Sequence, residues 1–155
     1  MTNTAPENIY LDYAAATPVD TRVLDAMLPY FSDVFYNPSA PYALARRART
    51  AFEDARAALA HCIGARPMSI TLTAGATEAN NLAFASVDGT VLTDAIEHES
   101  TLSCAKAREH VLVDVTREGF VTPSAVAAAL TPDVELVSVA LANGEIGTVQ
   151  NLREI

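Results

Sequence analysis

The chain has 155 residues, half of them hydrophobic, enough for one packed domain. Ten basic residues against nineteen acidic ones leave a formal net charge of −9. That balance argues against nucleic acid or an anionic membrane as a partner, and no apolar run reaches the roughly 18 residues of a membrane span.

The opening MTNTAPENIY has neither the basic region nor the apolar stretch of a signal peptide, so a cytoplasmic protein is expected. Cys62 and Cys104 stand alone, without a CxxC pair or a metal-ligand spacing, so reduced thiols and no metal site are expected.

In chain order, IYLDY (Ile9–Tyr13) reads as a short extended segment and Thr17–Asp20 as a helix entry. Leu24, Met27, Leu28 and Phe31 recur at helical spacing, with Pro29 as a kink or stop. FYNPSAP (Phe35–Pro41) is a loop. Leu44, Ala48, Phe52, Ala55 and Leu59 mark a long helix that Gly64 stops. Short β-type runs then alternate with helical ones. SITLT (Ser69–Thr73) precedes a helix over 77–85, TVLTD (Thr90–Asp94) a helix over 99–109, and VLVDV (Val111–Val115) a helix over 123–130, before ELVSVAL (Glu135–Leu141). This alternation predicts an α/β fold with a mostly parallel sheet. The final NLREI reads as the first turn of a further helix.

Ligands of open α/β sheets bind at the carboxyl ends of the strands, and three features fall there. Gly75-Ala76-Thr77 follows SITLT and opens a helix. Small residues, free first-turn N–H groups, the helix dipole and the Thr77 hydroxyl would cradle a phosphate; the same residues would also make an ordinary turn with Thr77 as N-cap. His98 follows TVLTD by four residues. It is either a solvated histidine at a helix start or a ring that stacks on an aromatic cofactor and moves protons. Asn143, in Ala142–Gly147 after ELVSVAL, is either an amide donor or half of an Asn-Gly turn. His98 and Cys104 lie six residues apart, about 120° off a common helical face, so they do not form a nucleophile pair. Together the three features suit a phosphorylated aromatic cofactor.

IYLDYAAATPVD (Ile9–Asp20), YNPSAPYALARRAR (Tyr36–Arg49), TAGATEANN (Thr73–Asn81), EHES (Glu97–Ser100) and ANGEIGTVQ (Ala142–Gln150) occur in an order and at spacings that resemble the N-terminal part of the cysteine desulfurases. These are pyridoxal-phosphate (PLP) enzymes of the class V aminotransferase group. The resemblance implies the incomplete large-domain sheet of a fold-type I PLP transferase, with helices on both faces. Residues 1–17 would lie on the small-domain side, and 18–155 would form the N-terminal part of the PLP-binding domain. It implies PLP as cofactor and L-cysteine as substrate, converted to L-alanine with the sulfur left as an enzyme persulfide for iron–sulfur clusters or tRNA thiolation. Gly75, Ala76 and Thr77 would bind the cofactor phosphate, and His98 would stack on the ring and transfer protons. Asn143 would take the place of the ring-contacting asparagine that the family often has where this chain has Gly144.

In the family the aspartate on the pyridinium nitrogen, the PLP lysine and the persulfide cysteine all follow the region matched here. The single lysine, Lys106, lies eight residues beyond His98, about 12 Å further along a helix, and does not stand in. Those 155 residues alone are therefore expected to be inactive and to need a C-terminal half or a second chain, with a homodimer and a sulfur-acceptor protein as further partners. The family's strand order places TVLTD, VLVDV and ELVSVAL together and SITLT apart, so SITLT is expected to lack its neighbours and ELVSVAL to form an open edge. The alternatives are a selenocysteine lyase or other class V enzyme, and a non-catalytic chain that pairs with a second polypeptide.

Overall fold

The computed structural model describes residues 9–155; the part of the expected segment 1–17 before Ile9 lies outside the described residues. Two compact units divide the chain, one running to Leu72 and the other from Thr73 to Ile155.

The first unit is helical. Helix α1 (Thr21–Met27) is capped by Asp20, whose carboxylate accepts from the Arg22 amide at 2.9 Å. The Arg22 guanidinium closes on the same carboxylate (3.0 and 2.8 Å) and holds the Asp20 carboxyl below its usual range. The chain breaks at Leu28 because Pro29 opens α2 (Pro29–Ser32) and has no N–H to continue α1. Helix α3 (Ala43–Cys62) is the long helix expected, about 30 Å at its 20 residues. Gly64 ends it at φ 67°, a left-handed conformation that a Cβ disfavours. Arg46 and Arg49 reach back from α3 to the carbonyls of Pro41 and Pro38, each at 2.7 Å, and so hold the Phe35–Pro41 loop. Ile9–Tyr13 forms no regular strand.

The second unit contains helix α4 (Ala76–Ala85), strand β1 (Thr90–Asp94), helix α5 (Glu99–Lys106), strand β2 (His110–Val113), helix α6 (Pro123–Ala129) and strand β3 (Val134–Ser138). The three strands are parallel in the order β2-β1-β3, joined through α5 and α6 as parallel strands require. The central strand alternates its side chains between two cores. Val91 packs with Phe84 of α4 and with Cys104 and Ala105 of α5. Leu92 points the other way, into Val113, Val121 and Val126. Helices thus cover both faces of an incomplete sheet, and Val91 and Leu92, buried on opposite faces, are fully removed from solvent.

Several boundaries differ from the sequence reading, each for a physical reason. SITLT is not a strand. Pro67–Ser69 is a 3-10 turn, and Ile70, though extended at φ −99° and ψ 119°, begins a stretch with no partner to complete a ladder. Helix α5 stops at Lys106 because Arg108 swings its guanidinium onto the carbonyls of Phe84 (a close contact) and Val87 (2.9 Å). The following carbonyl, Glu109 O, already accepts from Val91 N in the sheet at 3.0 Å. Strand β3 ends at Ser138, before Leu141, because the Ala140 amide donates to the Glu97 carboxylate instead of to a strand. It is an edge strand, with Val137 40 % exposed. At the C-terminal side Ile155 N donates to Asn151 O at 3.4 Å, a single helical turn. No helix among the described residues is long and apolar enough to cross a membrane.

Candidate functional site

The site is built on two helix N-termini in the second unit. Gly75 is the N-cap of α4 and carries no side chain to satisfy the first amides. Ala79 N is the first amide to bond inside the helix, to Gly75 O at 3.1 Å, which leaves the N–H groups of Ala76, Thr77 and Glu78 without a helical partner. A Cβ built on Gly75 would meet nothing within 4 Å, so the space beside this turn is open. The turn itself is fixed: Thr73 Oγ1 donates to Gly75 O (3.0 Å), and Ala74 N donates to the Glu78 carboxylate (2.7 Å). Glu78 at the positive end of the helix dipole is favourable for the helix. Its charge opposes an incoming anion, and the Ala74 amide already occupies one of its oxygens.

His98 is the N-cap of α5. Its Nδ1 accepts from the Ser100 amide at 3.1 Å and lies 2.8 Å from Ser100 Oγ. Gly75, Ala76, Thr77, His98 and Ser100 line one open cavity of about 600 Å³. A neighbouring groove of about 580 Å³ along α4 and α5 shares Thr77, Asn81, His98 and Ser100 with it. The structure therefore brings together Gly75, Ala76, Thr77 and His98, four of the five residues singled out from the sequence.

Asn143 is placed differently and is not among the residues lining that cavity. Its Oδ1 accepts from the amides of Glu145 (2.9 Å) and Ile146 (3.1 Å), the turn signal of Asn-Gly in physical form. Its Nδ2 donates to Ile96 O at 2.9 Å, two residues before His98. Gly144 has open space around it. Lys106 pairs with Glu99 at 3.9 Å and is not a lining residue either.

Beneath the site, two carboxylates close the C-terminal end of β1. Asp94 is 2 % exposed and accepts from Ile96 N at 2.9 Å; burial raises its pKa above the usual carboxylate value. The Glu97 carboxyl is raised as well, by its own burial first and then by the Asp94 charge, and it accepts from Ala140 N. Sequence reasoning missed Gln150, which is 6 % exposed. Its side chain donates to Gly119 O (2.7 Å) and accepts from Val121 N (3.0 Å), pinning the strand-to-helix turn before α6. Arg108 and Asn80 were also missed, since nothing local in the sequence marks their partners.

This arrangement suits an anion with a planar ring attached. Uncommitted amides and the helix dipole meet the anion, the Thr77 hydroxyl supplies a further donor, and the imidazole stands on the same cavity wall.

The chain is similar to known proteins along nearly all of its length. Cysteine desulfurase IscS of Dictyoglomus turgidum is 38 % identical over 159 residues, covering 95 % of this chain and 40 % of its own length. Its counterpart from Anaeromyxobacter sp. (strain Fw109-5) is 41 % identical over 160 residues, covering 95 % of this chain and 40 % of its own. Among solved structures, SspA in complex with cysteine superposes with a TM-score of 0.88 at 35 % identity, over 94 % of this chain and 46 % of that one. A NifS-like protein from Rickettsia africae gives 0.84 at 31 % identity, over 94 % and 43 %. The chain thus spans about 40 % of the length of the curated relatives it matches. The aminotransferase class-V model matches residues 9–155, and the chain belongs to that family.

Proposed function

We propose that these residues form the phosphate-binding and ring-facing part of a PLP site in a cysteine desulfurase. The observation that carries this is the shared cavity of Gly75–Thr77 and His98. The residues fit the group: three unpartnered amides and a free hydroxyl face an open space where Gly75 has no Cβ. The relatives' names and the cysteine-bound neighbour support L-cysteine as substrate and L-alanine as product, with the sulfur passed to an enzyme cysteine.

Ala76, Thr77 and Glu78 would hold the cofactor phosphate through their amides, with the Thr77 hydroxyl as a further donor. When bound, PLP supplies an electron sink. His98 would lie over the ring and move a proton at Nε2. Asn143 and Glu97 would hold the loop that carries His98, through Ile96 O and Ala140 N. The lysine and cysteine needed for the covalent steps fall outside these 155 residues, so the residues here turn over no cysteine by themselves. Of the described residues, 9–17 would belong to the small-domain side, and the complete enzyme would be a cytoplasmic homodimer that hands its sulfur to an acceptor protein.

In the full-length enzyme, Thr77→Val removes a charge-assisted hydrogen bond and is expected to weaken PLP binding about tenfold to a hundredfold. Titration of the apoenzyme with PLP measures it. Binding as tight as in the parent would reduce Gly75–Thr77 to a turn.

A further inference from the structure

Behind His98, one side chain ties α5 to α4. Asn80 Nδ2 lies 2.9 Å from Ser100 Oγ and 3.3 Å from Thr101 Oγ1. Ser100 Oγ lies 2.8 Å from His98 Nδ1. Asn80 is half-buried and Thr101 is 5 % exposed, so these groups have little water to turn to.

The direction of the bonds between His98, Ser100 and Asn80 follows from one fixed point. A backbone N–H can only donate, so the Ser100 amide, 3.1 Å from His98 Nδ1, requires a lone pair there. The neutral ring then carries its proton on Nε2. The Ser100 hydroxyl faces the same lone pair and must donate to it, which leaves its oxygen to accept. Thr101 Oγ1 lies 3.3 Å from the same Asn80 nitrogen. The Ser100 oxygen therefore accepts from Asn80, and the amide NH2 has one hydrogen for each of the two hydroxyls. An aspartate at 80 would reverse the branch, drawing both hydroxyl protons toward itself.

We propose that Asn80 is a positioning residue for His98. Through Ser100 it holds the imidazole in the Nε2–H form, and Nε2 makes no hydrogen bond among the described residues. This orients the ring nitrogen that the cavity uses, and it rests on the reading of His98 as a cofactor-site residue.

Carbon and nitrogen NMR shifts of labelled histidine report the tautomer directly, in the full-length protein with and without PLP, His98 being assigned by its loss in His98→Gln. The parent is expected to show the Nε2–H form. Asn80→Asp is expected to raise the ratio of Nδ1–H to Nε2–H by about threefold to tenfold, the loss of one favourable hydrogen bond. Ser100→Ala should move it in the same direction by less, because the Ser100 amide still caps Nδ1, and Ser100→Thr should restore the parent spectrum. The Ser100 pair keeps the test open if Asn80→Asp fails to fold. A parent in the Nδ1–H form, or unchanged tautomers in both Asn80→Asp and Ser100→Ala, would overturn the proposal. The tautomer is read without cofactor, so a protein that shows these shifts but binds no PLP supports the positioning role while removing the cofactor reading.

Discussion

The two compact units spend their apolar residues differently. In the unit from Thr73 onward, Val91, Leu92, Val113, Val121 and Val126 are buried against strands and helices of the same unit. Among the described residues of the unit ending at Leu72, the buried hydrophobics are Ala45, Ala48 and Ala60. Phe31, Phe35 and Met68 there are 70 %, 64 % and 84 % exposed. Apolar residues at helical spacing from Leu24 to Phe31 and from Leu44 to Leu59 form helices in that unit, so periodicity alone makes a helix but not a core. In this chain the larger core, and with it the cavity shared by Gly75–Thr77 and His98, lies in the unit where strands give the helices a surface to cover.

Paired truncations would show this contrast most strongly. Leu92→Ala is expected to cost about 2–5 kcal/mol, as large-to-small changes in closed cores do, whereas Phe31→Ala should stay within about 0.5 kcal/mol. Urea unfolding of the two variants measures both, and comparable losses would abolish the distinction between the units. A smaller effect is expected at Gln150, whose side chain satisfies the buried Val121 amide and Gly119 carbonyl. Gln150→Ala should cost about 1–3 kcal/mol through the groups it leaves unpaired. A loss under about 0.5 kcal/mol would mean that water replaces the side chain.

The smallest effect has the most informative sign. Burial raises the Asp94 pKa in the folded chain, so the folded state binds more protons than the unfolded one. Its charged form weakens the fold at neutral pH, and that penalty is relieved as the pH falls through the raised value toward the unfolded carboxylate range, about 4. Asp94→Asn keeps the acceptor for Ile96 N. It should be at least as stable as the parent at pH 7, with the difference shrinking toward pH 4, and it should also lower the Glu97 pKa, which the Asp94 charge helps to raise. A variant weaker than the parent at pH 7 and equal to it at pH 4 would show that the carboxylate is stabilising. In the unit ending at Leu72, Asp20 has the opposite sign. Its pKa is lowered by Arg22, so its contribution is present above the usual carboxylate range and lost on acidification.

What the sequence revealed was mostly local. The long helix α3 could be read from the spacing of Leu44 to Leu59 and the Gly64 stop, and TVLTD matches β1 residue for residue. Gly75–Thr77 and His98 were found because each directly opens a helix after an extended run. SITLT has the composition of a strand, but a strand also needs a neighbour, and none of β1–β3 pairs with it. Asn80, Arg108 and Gln150 were hidden for a related reason. Their key partners lie 20, 24 and 31 residues away, so their roles exist only once the fold has brought those positions together. Asn143 carried two signals, and the structure gives the turn to its Oδ1 and the loop tie to its Nδ2.

The central claim is that the N-terminus of α4 and the ring of His98 serve one PLP molecule. A crystal structure of the full-length protein loaded with PLP tests it most directly. The account predicts the phosphate within hydrogen-bond reach of the amides of Ala76 and Thr77 and of Thr77 Oγ1, with the His98 ring stacked on the pyridine. A phosphate bound away from Gly75–Thr77, or a ring with His98 turned from it toward solvent, would contradict it.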